Sequence, residues 1–273
     1  MKKSFNEQEL ENIINRYNQG ESLHKISKTT GADWHWLERQ FQQRNIEIRR
    51  QMRLRTDYFD EINSPNKAYI LGFIYADGCN EIDEERKRYC LSISVEKTDI
   101  DVLQQIQNEL NHTKNLTLKT NNHGTEYYTL SLCSKKLCYK LKELGVVPKK
   151  SLVKQFPTYI PNELIPHFIR GYFDGNGSLI IQKRSEGDCY KPSVSATITS
   201  TEDMCLHFSS IVQQKCNVTT HVYDICKEGA CKDKIKSFRV IGNNQTKQFL
   251  DYIYKDADLK MNRKYQKYLN WYY

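Results

Sequence analysis

The stretch Ile70-Leu71-Gly72-Phe73-Ile74-Tyr75-Ala76-Asp77-Gly78 has a second copy 99 residues later, Ile169-Arg170-Gly171-Tyr172-Phe173-Asp174-Gly175-Asn176-Gly177. Both copies are typical of a short helix that ends at a glycine. We expect Gly78 and Gly177 to cap these helices with a positive φ angle, which glycine adopts without a steric cost. One such site would be an ordinary turn. Because the motif recurs at the start of two nearly equal segments, the sequence instead predicts a duplication.

Small residues recur four apart within each copy. The first copy has Gly72 and Ala76, and the second has Gly171 and Gly175. Residues four apart lie on the same face of a helix, so another backbone can approach that face closely.

Asp77 stands at the eighth position of the first copy, in the last turn of the predicted helix. A carboxylate is disfavoured there by the negative end of the helix dipole. A cation bound to the Asp77 carboxylate would make this unfavourable electrostatic interaction favourable. The second copy has the uncharged Asn176 at the same position, and Asp174 cannot easily replace it. Two residues along a helix are about 200° apart around the axis, which places Asp174 on the opposite face.

The composition favours a polyanionic partner. The 273 residues carry 41 Lys and Arg against 33 Asp and Glu, for a formal net charge of +8. Such an excess is typical of proteins that bind nucleic acids, although it does not prove that function. The length allows one large domain or two to three small ones.

The sequence also indicates the cellular compartment of the protein. Nine cysteines are scattered without a Cys-x-x-Cys pair or the histidines of a zinc site, so we expect free thiols in a reducing compartment. Met1-Lys2-Lys3 is followed by polar residues, which argues against a signal peptide. No apolar run has the length of a membrane span. We therefore expect a cytoplasmic protein that does not bind a membrane.

The first 48 residues predict a small all-α domain of three helices, over residues 6–18, 22–29 and 33–44. Their apolar stripes are formed by Leu10, Ile13, Ile14, Tyr17, Leu23, Ile26, Trp34, Leu37 and Phe41. A helix, a turn at Thr30-Gly31 and a second helix form the helix-turn-helix pattern. The helix after the turn would enter a DNA major groove with its exposed His35, Glu38 and Arg39. The alternative is a plain three-helix scaffold that binds protein.

A basic linker follows, over residues 49–59. Its arginines are Arg49, Arg50, Arg53 and Arg55. Next to a DNA-binding domain they would contact phosphates, and otherwise they would form a solvated helix face or linker.

The remaining chain predicts a pseudo-two-fold α+β protein of two halves, residues 60–154 and 155–273. Each half has the order helix–strand–strand–helix–strand–strand–helix, in which strands with alternating polarity, such as residues 91–95 and 194–198, separate amphipathic helices. One face of each sheet would be apolar and covered by helices. The polar face would bind DNA or be ordinary solvated sheet. Its candidate DNA-binding residues are Ser92, Ser94, Gln182, Lys183, Arg184, Thr197 and Arg239.

The two nine-residue stretches and the element order resemble those of the LAGLIDADG homing endonucleases, over residues from about 60 to 273. The resemblance implies a duplicated α-β-β-α-β-β-α core in which the two motif helices pack side by side at the pseudo-dyad. It implies a site-specific endonuclease that cuts double-stranded DNA across the minor groove, at a long asymmetric target, with the two sheets in the major groove. A helix-turn-helix domain lies outside this core.

The resemblance also implies the active centre. Asp77 matches the acid of the first motif, and Asn176 stands where an acid is expected in the second. Divalent cations, Mg²⁺ or Mn²⁺, would be bound by these residues, by the backbone carbonyls of Ala76 and Gly175, and by the scissile phosphates. Hydrolysis of a phosphodiester builds negative charge that a metal can stabilise.

The family further uses a basic residue after the last helix of each half. Lys149 and Lys150 match this position in the first half, and Arg263 and Lys264 match it in the second. One member of each pair would polarise water or stabilise the transition state. The alternative is a solvated basic pair at a helix end, where the dipole favours cations.

Three functions remain open from the sequence. The first is a monomeric homing endonuclease that cuts both strands or, because of Asn176, nicks one. The second is a splicing maturase bound to intron RNA. The third is a DNA-binding regulator without cleavage activity. The protein would be associated with DNA inside the cell, or inside an organelle if an organelle genome encodes it.

Overall fold

The computed structural model describes residues 5–48, 54–148, 152–182, 193–225 and 234–272, and the chain divides into two compact units, Met1–Gln51 and Met52–Tyr273. The described helices are α1 (Glu7–Asn18), α2 (Leu23–Thr30), α3 (Trp34–Gln43), α4 (Pro65–Asp77), α5 (Ile100–Glu109), α6 (Lys135–Glu143), α7 (Ile165–Asn176), α8 (Glu202–Cys216), α9 (Asn243–Tyr254) and α10 (Asn262–Tyr272). The described strands are β1 (Gly78–Asp83), β2 (Arg88–Glu96), β3 (Thr117–Thr120), β4 (Glu126–Leu132), β5 (Gly177–Gln182), β6 (Ser193–Thr201), β7 (Thr220–Asp224) and β8 (Ile235–Ile241).

The first unit is a three-helix domain with well-capped helices. Asn6 and Glu9 form a capping box at the start of α1, and Gly31, with a φ of 73°, ends α2. Leu37 and Phe41 of α3 are fully buried. Trp34 does not belong to this core, contrary to the prediction. It is 39% exposed because α3 begins there, and Trp36 packs against the core instead.

The second unit contains the predicted duplication. Each half forms a four-stranded antiparallel sheet, in the order β1-β2-β4-β3 and β5-β6-β8-β7. The α+β fold class is therefore confirmed. The sequence did not predict α10, because Arg263 and Lys264 are expected only as a basic pair after the last helix of the second half. Tyr268 of this helix is buried in the core, and Tyr265 and Leu269 pack against the core.

Alternation along the strands gives each sheet one buried and one open face. In β2 the side chains of Leu91, Ile93 and Val95 are buried, whereas Ser94 between them is exposed. The helices pack on the buried face. We call the other side the open face of each sheet.

The motif helices α4 and α7 pack directly on each other through their glycines. A Cβ at Gly72 would lie closer to Phe168 O, and one at Gly171 closer to Tyr69 O, than the 3.0 Å that real Cβ atoms keep. Backbone carbonyls therefore occupy the space of the missing side chains. Only glycine permits this approach.

The prediction of a positive φ at the ends of these helices is wrong. Gly78 has φ −71° and ψ 141°, and Gly177 has φ −93° and ψ 163°, so both are extended. The reason is that β1 and β5 start at these residues. Glycine is still required, because a Cβ would meet Ile74 O at 2.7 Å or Phe173 O at 2.6 Å.

Among the described residues, no helix has both the length and the hydrophobicity that a membrane-spanning segment needs.

We expect Gly171→Ala to destabilise the protein by about 3 kcal/mol, the upper end of the usual overpacking cost, because its methyl group meets a backbone oxygen that cannot move aside. Gly124→Ala is the control. A Cβ at Gly124 meets nothing within 4 Å and adds only the cost of a positive φ, about 1 kcal/mol. Urea denaturation followed by circular dichroism measures both variants. Equal losses would contradict the backbone contact.

Candidate active centre

The C-terminal ends of α4 and α7 adjoin, and this brings four of the predicted site residues together. A Cβ built on Gly175 would lie 2.5 Å from the Cβ of Ala76 and 3.3 Å from Oδ2 of Asp77. The Asp77 carboxylate therefore lies against the backbone of α7, one residue before Asn176. Both residues also lie near the buried Tyr172, whose pKa is raised mainly by burial and also by the charge of Asp77, and is lowered by the side chain of Asn176.

The side chain of Asn176 is oriented by its amide hydrogens. Its Nδ2 donates to Thr199 O at 2.5 Å. Because the nitrogen is used in this way, the amide oxygen is the atom that Asn176 can offer to a cation. An amide oxygen is a hard ligand, but it brings no charge and cannot act as a base at neutral pH.

Lys264 of α10 caps the end of α7. Its Nζ donates to the carbonyls of Phe173, Asp174 and Gly177 at 2.8, 2.6 and 2.6 Å. Burial lowers the pKa of Lys264 to about 8, and the nearby carboxylates of Asp174 and Asp77 partly offset this effect. At pH 7 the ammonium therefore keeps its proton. Three donors then meet three carbonyls at the negative end of the helix dipole.

Lys154 does the same for α4, and sequence reasoning missed it. Its Nζ donates to Tyr75 O at 3.2 Å and to the phenol oxygen of Tyr172 at 2.8 Å, and the residue is buried. The phenol of Tyr172 is also 2.7 Å from Ser200 Oγ. A comparison of the two halves contained the signal. Lys154 and Lys264 both follow the last predicted helix of their half.

Arg263 and Lys264 were predicted as a pair, but their side chains have different partners. The guanidinium of Arg263 donates to both oxygens of Asp99, from Nε and Nη2 at 2.7 Å each. Asp99 belongs to the first half, immediately before α5, and its side chain is only 4% exposed. This bidentate pair ties α10 to the first half.

Asp174 is fully buried, and its carboxylate accepts hydrogen bonds from groups that lie away from the ends of the motif helices. Its Oδ1 accepts from Tyr254 OH at 2.6 Å, and its Oδ2 accepts from Tyr69 OH at 2.9 Å and from Met261 N at 2.8 Å. Burial raises the pKa of Asp174, while the bonds from Tyr254 and Met261 lower it. Its two oxygens are thus occupied by buried donors.

Arg170 is the second buried charge in this helix. It donates from Nε to Leu259 O and from Nη1 to Ile253 O. Its Nη1 also lies 2.7 Å from His167 Nδ1. Burial and the charge of Arg170 lower the pKa of His167 to about 4, so this histidine is neutral and accepts the bond.

The predicted DNA-binding residues that the structure describes lie on the open faces and on α3. By strand register, Ser92 and Ser94 share the open face of the first sheet, and Gln182, Thr197 and Arg239 share that of the second. On α3, Nδ1 of His35 lies 3.8 Å from Oε2 of Glu38, and Nε of Arg39 donates to the backbone oxygen of His35. The predictions for Arg49, Arg50, Arg53, Lys149, Lys150, Lys183 and Arg184 fall outside the described residues.

The donor set at the ends of the motif helices suits Mg²⁺ held jointly with a substrate. Within the described ranges, no three His, Cys, Asp or Glu side chains are grouped so as to hold a metal ion by themselves. Mg²⁺ keeps several waters and is usually bound by one or two carboxylates plus substrate phosphates. Asp77 supplies the carboxylate, and Asn176 supplies a neutral oxygen.

The lowered pKa of Lys264 predicts a pH-dependent stability. Its folded pKa, about 8, lies below its ordinary value of 10.5, so between these values the unfolded chain binds more protons. The contribution of Lys264 to the free energy of unfolding therefore rises with pH in this window. We expect the stability difference between wild type and Lys264→Met to change in favour of wild type from pH 7.5 to 9.5, as measured by urea denaturation with a reductant. Lys267→Met, which removes an exposed lysine of the same helix, should leave the wild-type pH profile unchanged.

No protein-family model and no curated protein matches the chain. Solved structures do match it. The meganuclease I-SmaMI bound to uncleavable DNA aligns with a TM-score of 0.51 and 13% identity, over 77% of this chain and 88% of that one. I-LtrWI, a LAGLIDADG homing endonuclease bound to target DNA, has a TM-score of 0.49 and 12% identity over 79% and 90% of the two chains. I-GzeII, another LAGLIDADG homing endonuclease in complex with a DNA target, has a TM-score of 0.46 and 16% identity over 77% and 89%. Together with the paired motifs and the two sheets of identical order, the I-SmaMI alignment shows that the chain has the fold of the LAGLIDADG homing endonucleases.

Proposed function

We propose that this protein is a site-specific, metal-dependent endonuclease of double-stranded DNA. The observation that carries this proposal is the meeting of Asp77 and Asn176 at the adjoining ends of α4 and α7. This point lies between two halves that each have an open polar sheet face. A carboxylate at the negative end of a helix dipole is unfavourable without a cation. A hydrolytic centre for DNA would explain its position.

Asp77 would hold Mg²⁺ or Mn²⁺ together with the Asn176 amide oxygen, the carbonyls of Ala76 and Gly175, and the phosphates. The bound metal supplies stabilisation of the charge on the phosphoryl oxygens and an activated water. Lys154 and Lys264 fix the ends of the two motif helices, and so keep Asp77 and Asn176 at a constant separation. The remaining predicted cations, Lys149 and Lys150, would act near the phosphate of the first half.

The two strands would be cut at unequal rates. The two motif ends share one carboxylate, because Asn176 replaces the second and Asp174 is bound by Tyr69, Tyr254 and Met261. The negative charge that attracts and orients a cation is therefore weaker on the side of Asn176. Cleavage on that side would be slower, and nicked DNA would accumulate.

Residues 1–48 would form a second DNA-binding domain, joined by the basic linker 49–59 to the halves 60–154 and 155–273. The helix α3 would enter a major groove with His35, Glu38 and Arg39, and its first residue, Trp34, is exposed beside them. The protein would act as a monomer on a long asymmetric target inside the cell.

A DNA-binding regulator without cleavage activity is the second candidate, and Asn176 is the observation that favours it. A maturase bound to intron RNA is a further outcome that the same experiments detect, since it would prefer structured RNA to duplex DNA.

The substitution Asp77→Asn should abolish Mg²⁺-dependent cleavage, a loss of at least about 100-fold, and leave DNA affinity within a few-fold of wild type. The reason is that it removes the shared carboxylate and keeps the size of the side chain. Asn176→Asp should raise the rate of the slower strand. End-labelled strands of a selected duplex measure both effects, and the exposed Asp57→Asn is the control. A wild-type protein that binds duplex tightly and cuts neither strand with Mg²⁺ or Mn²⁺ would refute the nuclease.

For the N-terminal domain, we expect Arg39→Ala to weaken binding to the selected duplex by about 1–3 kcal/mol, because an exposed arginine on a recognition helix contacts bases or phosphates. Fluorescence anisotropy at several salt concentrations measures the loss. Gln43→Ala, at the far end of α3, is the matched control. An unchanged affinity for Arg39→Ala would favour the protein-binding scaffold instead.

A further inference from the structure

The open face of the second sheet consists mainly of hydroxyl side chains. Ser178 on β5, Ser195, Thr197 and Thr199 on β6, and Ser237 on β8 share it by register. None of the described open-face positions on β5 to β8 is a carboxylate. The first sheet differs, because Glu81 and Asp83 of β1 and Glu96 of β2 lie on its open face.

Two exposed isoleucines interrupt this hydroxyl surface, and a third, the half-buried Ile235, lies on the same face at the far end of β8. Ile180 is 40% exposed and Ile241 is 39% exposed. Both are opposite Ser195, one on each neighbouring strand, so the three residues form one row across β5, β6 and β8. Two strand spacings place the isoleucines roughly 10 Å apart. A single exposed isoleucine would be ordinary, but two in one row of a polar face form a paired apolar feature.

The next row contains a cation that is held in place. Arg239 is opposite Thr197 on β6 and His221 on β7. Its Nε donates to Ser237 Oγ at 3.1 Å, and its guanidinium lies 5.1 Å from the centroid of the Tyr223 ring. A face with a fixed guanidinium, many hydroxyls and no described carboxylate is complementary to a polyanion.

We infer that Ile180 and Ile241 contact the C5-methyl groups of thymines, so that the half of the DNA target bound by the second sheet is selected for thymine at those positions. This inference rests on the proposed function, since it names bases recognised by the same DNA-binding surface. Thymine presents a methyl group in the major groove, and cytosine, adenine and guanine do not. Hydroxyls bond donors and acceptors alike, and a threonine methyl is a smaller apolar group than an isoleucine side chain, so Ile180 and Ile241 offer a thymine methyl a larger apolar contact than the hydroxyl residues do.

The experiment uses the full chain and a duplex selected from a random pool by the wild-type protein. Each thymine is replaced in turn by deoxyuridine, which keeps the hydrogen-bonding groups and removes only the methyl. One buried methyl group is worth about 0.8 kcal/mol, so each critical replacement should weaken wild-type binding about fourfold. The double variant Ile180→Ser, Ile241→Ser should bind thymine and deoxyuridine duplexes equally. Each single variant should lose the effect at one position only.

Leu206→Ser is the matched control, because Leu206 is 52% exposed on α8, which packs on the buried face of the sheet. It should keep the full thymine dependence. Circular dichroism verifies that every variant is folded.

Several outcomes would overturn the inference and leave the nuclease intact. They are tight wild-type binding that no deoxyuridine replacement weakens, an equal penalty in wild type and double variant, or a wild-type dimer in sedimentation that the double variant loses. The last of these outcomes would show that this row of residues mediates contact between copies of the chain. A pool that yields no bound duplex would overturn the proposed function, and the inference with it.

Discussion

Carbonyl oxygens of α4 and α7 lie where the side chains of Gly171 and Gly72 would be, so the two motif helices touch backbone to backbone. Interiors of proteins are close-packed, and such a contact leaves no freedom to slide or separate. The strands β1 and β5 begin immediately after these helices, at Gly78 and Gly177. One contact therefore determines the placement of both sheets and the distance between Asp77 and Asn176.

The two halves share this geometry but differ in the chemistry around it. Arg170 and Asp174 of α7 stand where α4 has the apolar Leu71 and the aromatic Tyr75. Buried charges are costly unless they are hydrogen-bonded, and here the carboxylate has donors from both halves. Tyr69 of α4 donates a hydrogen bond to Asp174 of α7. The network therefore requires α4 as the partner of α7, and a second copy of α7 would not replace it. The pairing of unlike halves is thus specified by polar groups as well as by shape.

Much of the fold follows from local patterns in the sequence. The repeated motif and the alternation in strands such as β2 predicted the elements and the duplication, and the structure shows the side chains of Asn6, Ser22, Asp33 and Ser64 capping the helices that follow them. What sequence reasoning missed depends on tertiary contacts. Lys154 has a role only because the end of α4 lies beside it, and Arg263 has Asp99 as a partner that is 164 residues away. The φ angles of Gly78 and Gly177 follow from the strands that begin there. For Asp77 and Asn176, the sequence predicted the position, and their chemical roles remain a prediction.

The ties between α10 and the first half have a consequence for how the chain folds. Gln105 of α5 exchanges hydrogen bonds with the backbone of Lys260, which is 155 residues later, and Tyr69 shares Asp174 with Met261. Contacts of such long range slow folding, because the intervening chain must be ordered first. During synthesis, α7 can cover the glycine face of α4 early, but Asp99 and Gln105 would wait for Arg263 and Lys260 until almost all of the second half has left the ribosome. The two halves are repeats in sequence, but they form one cooperative folding unit whose last pieces come from near residue 260.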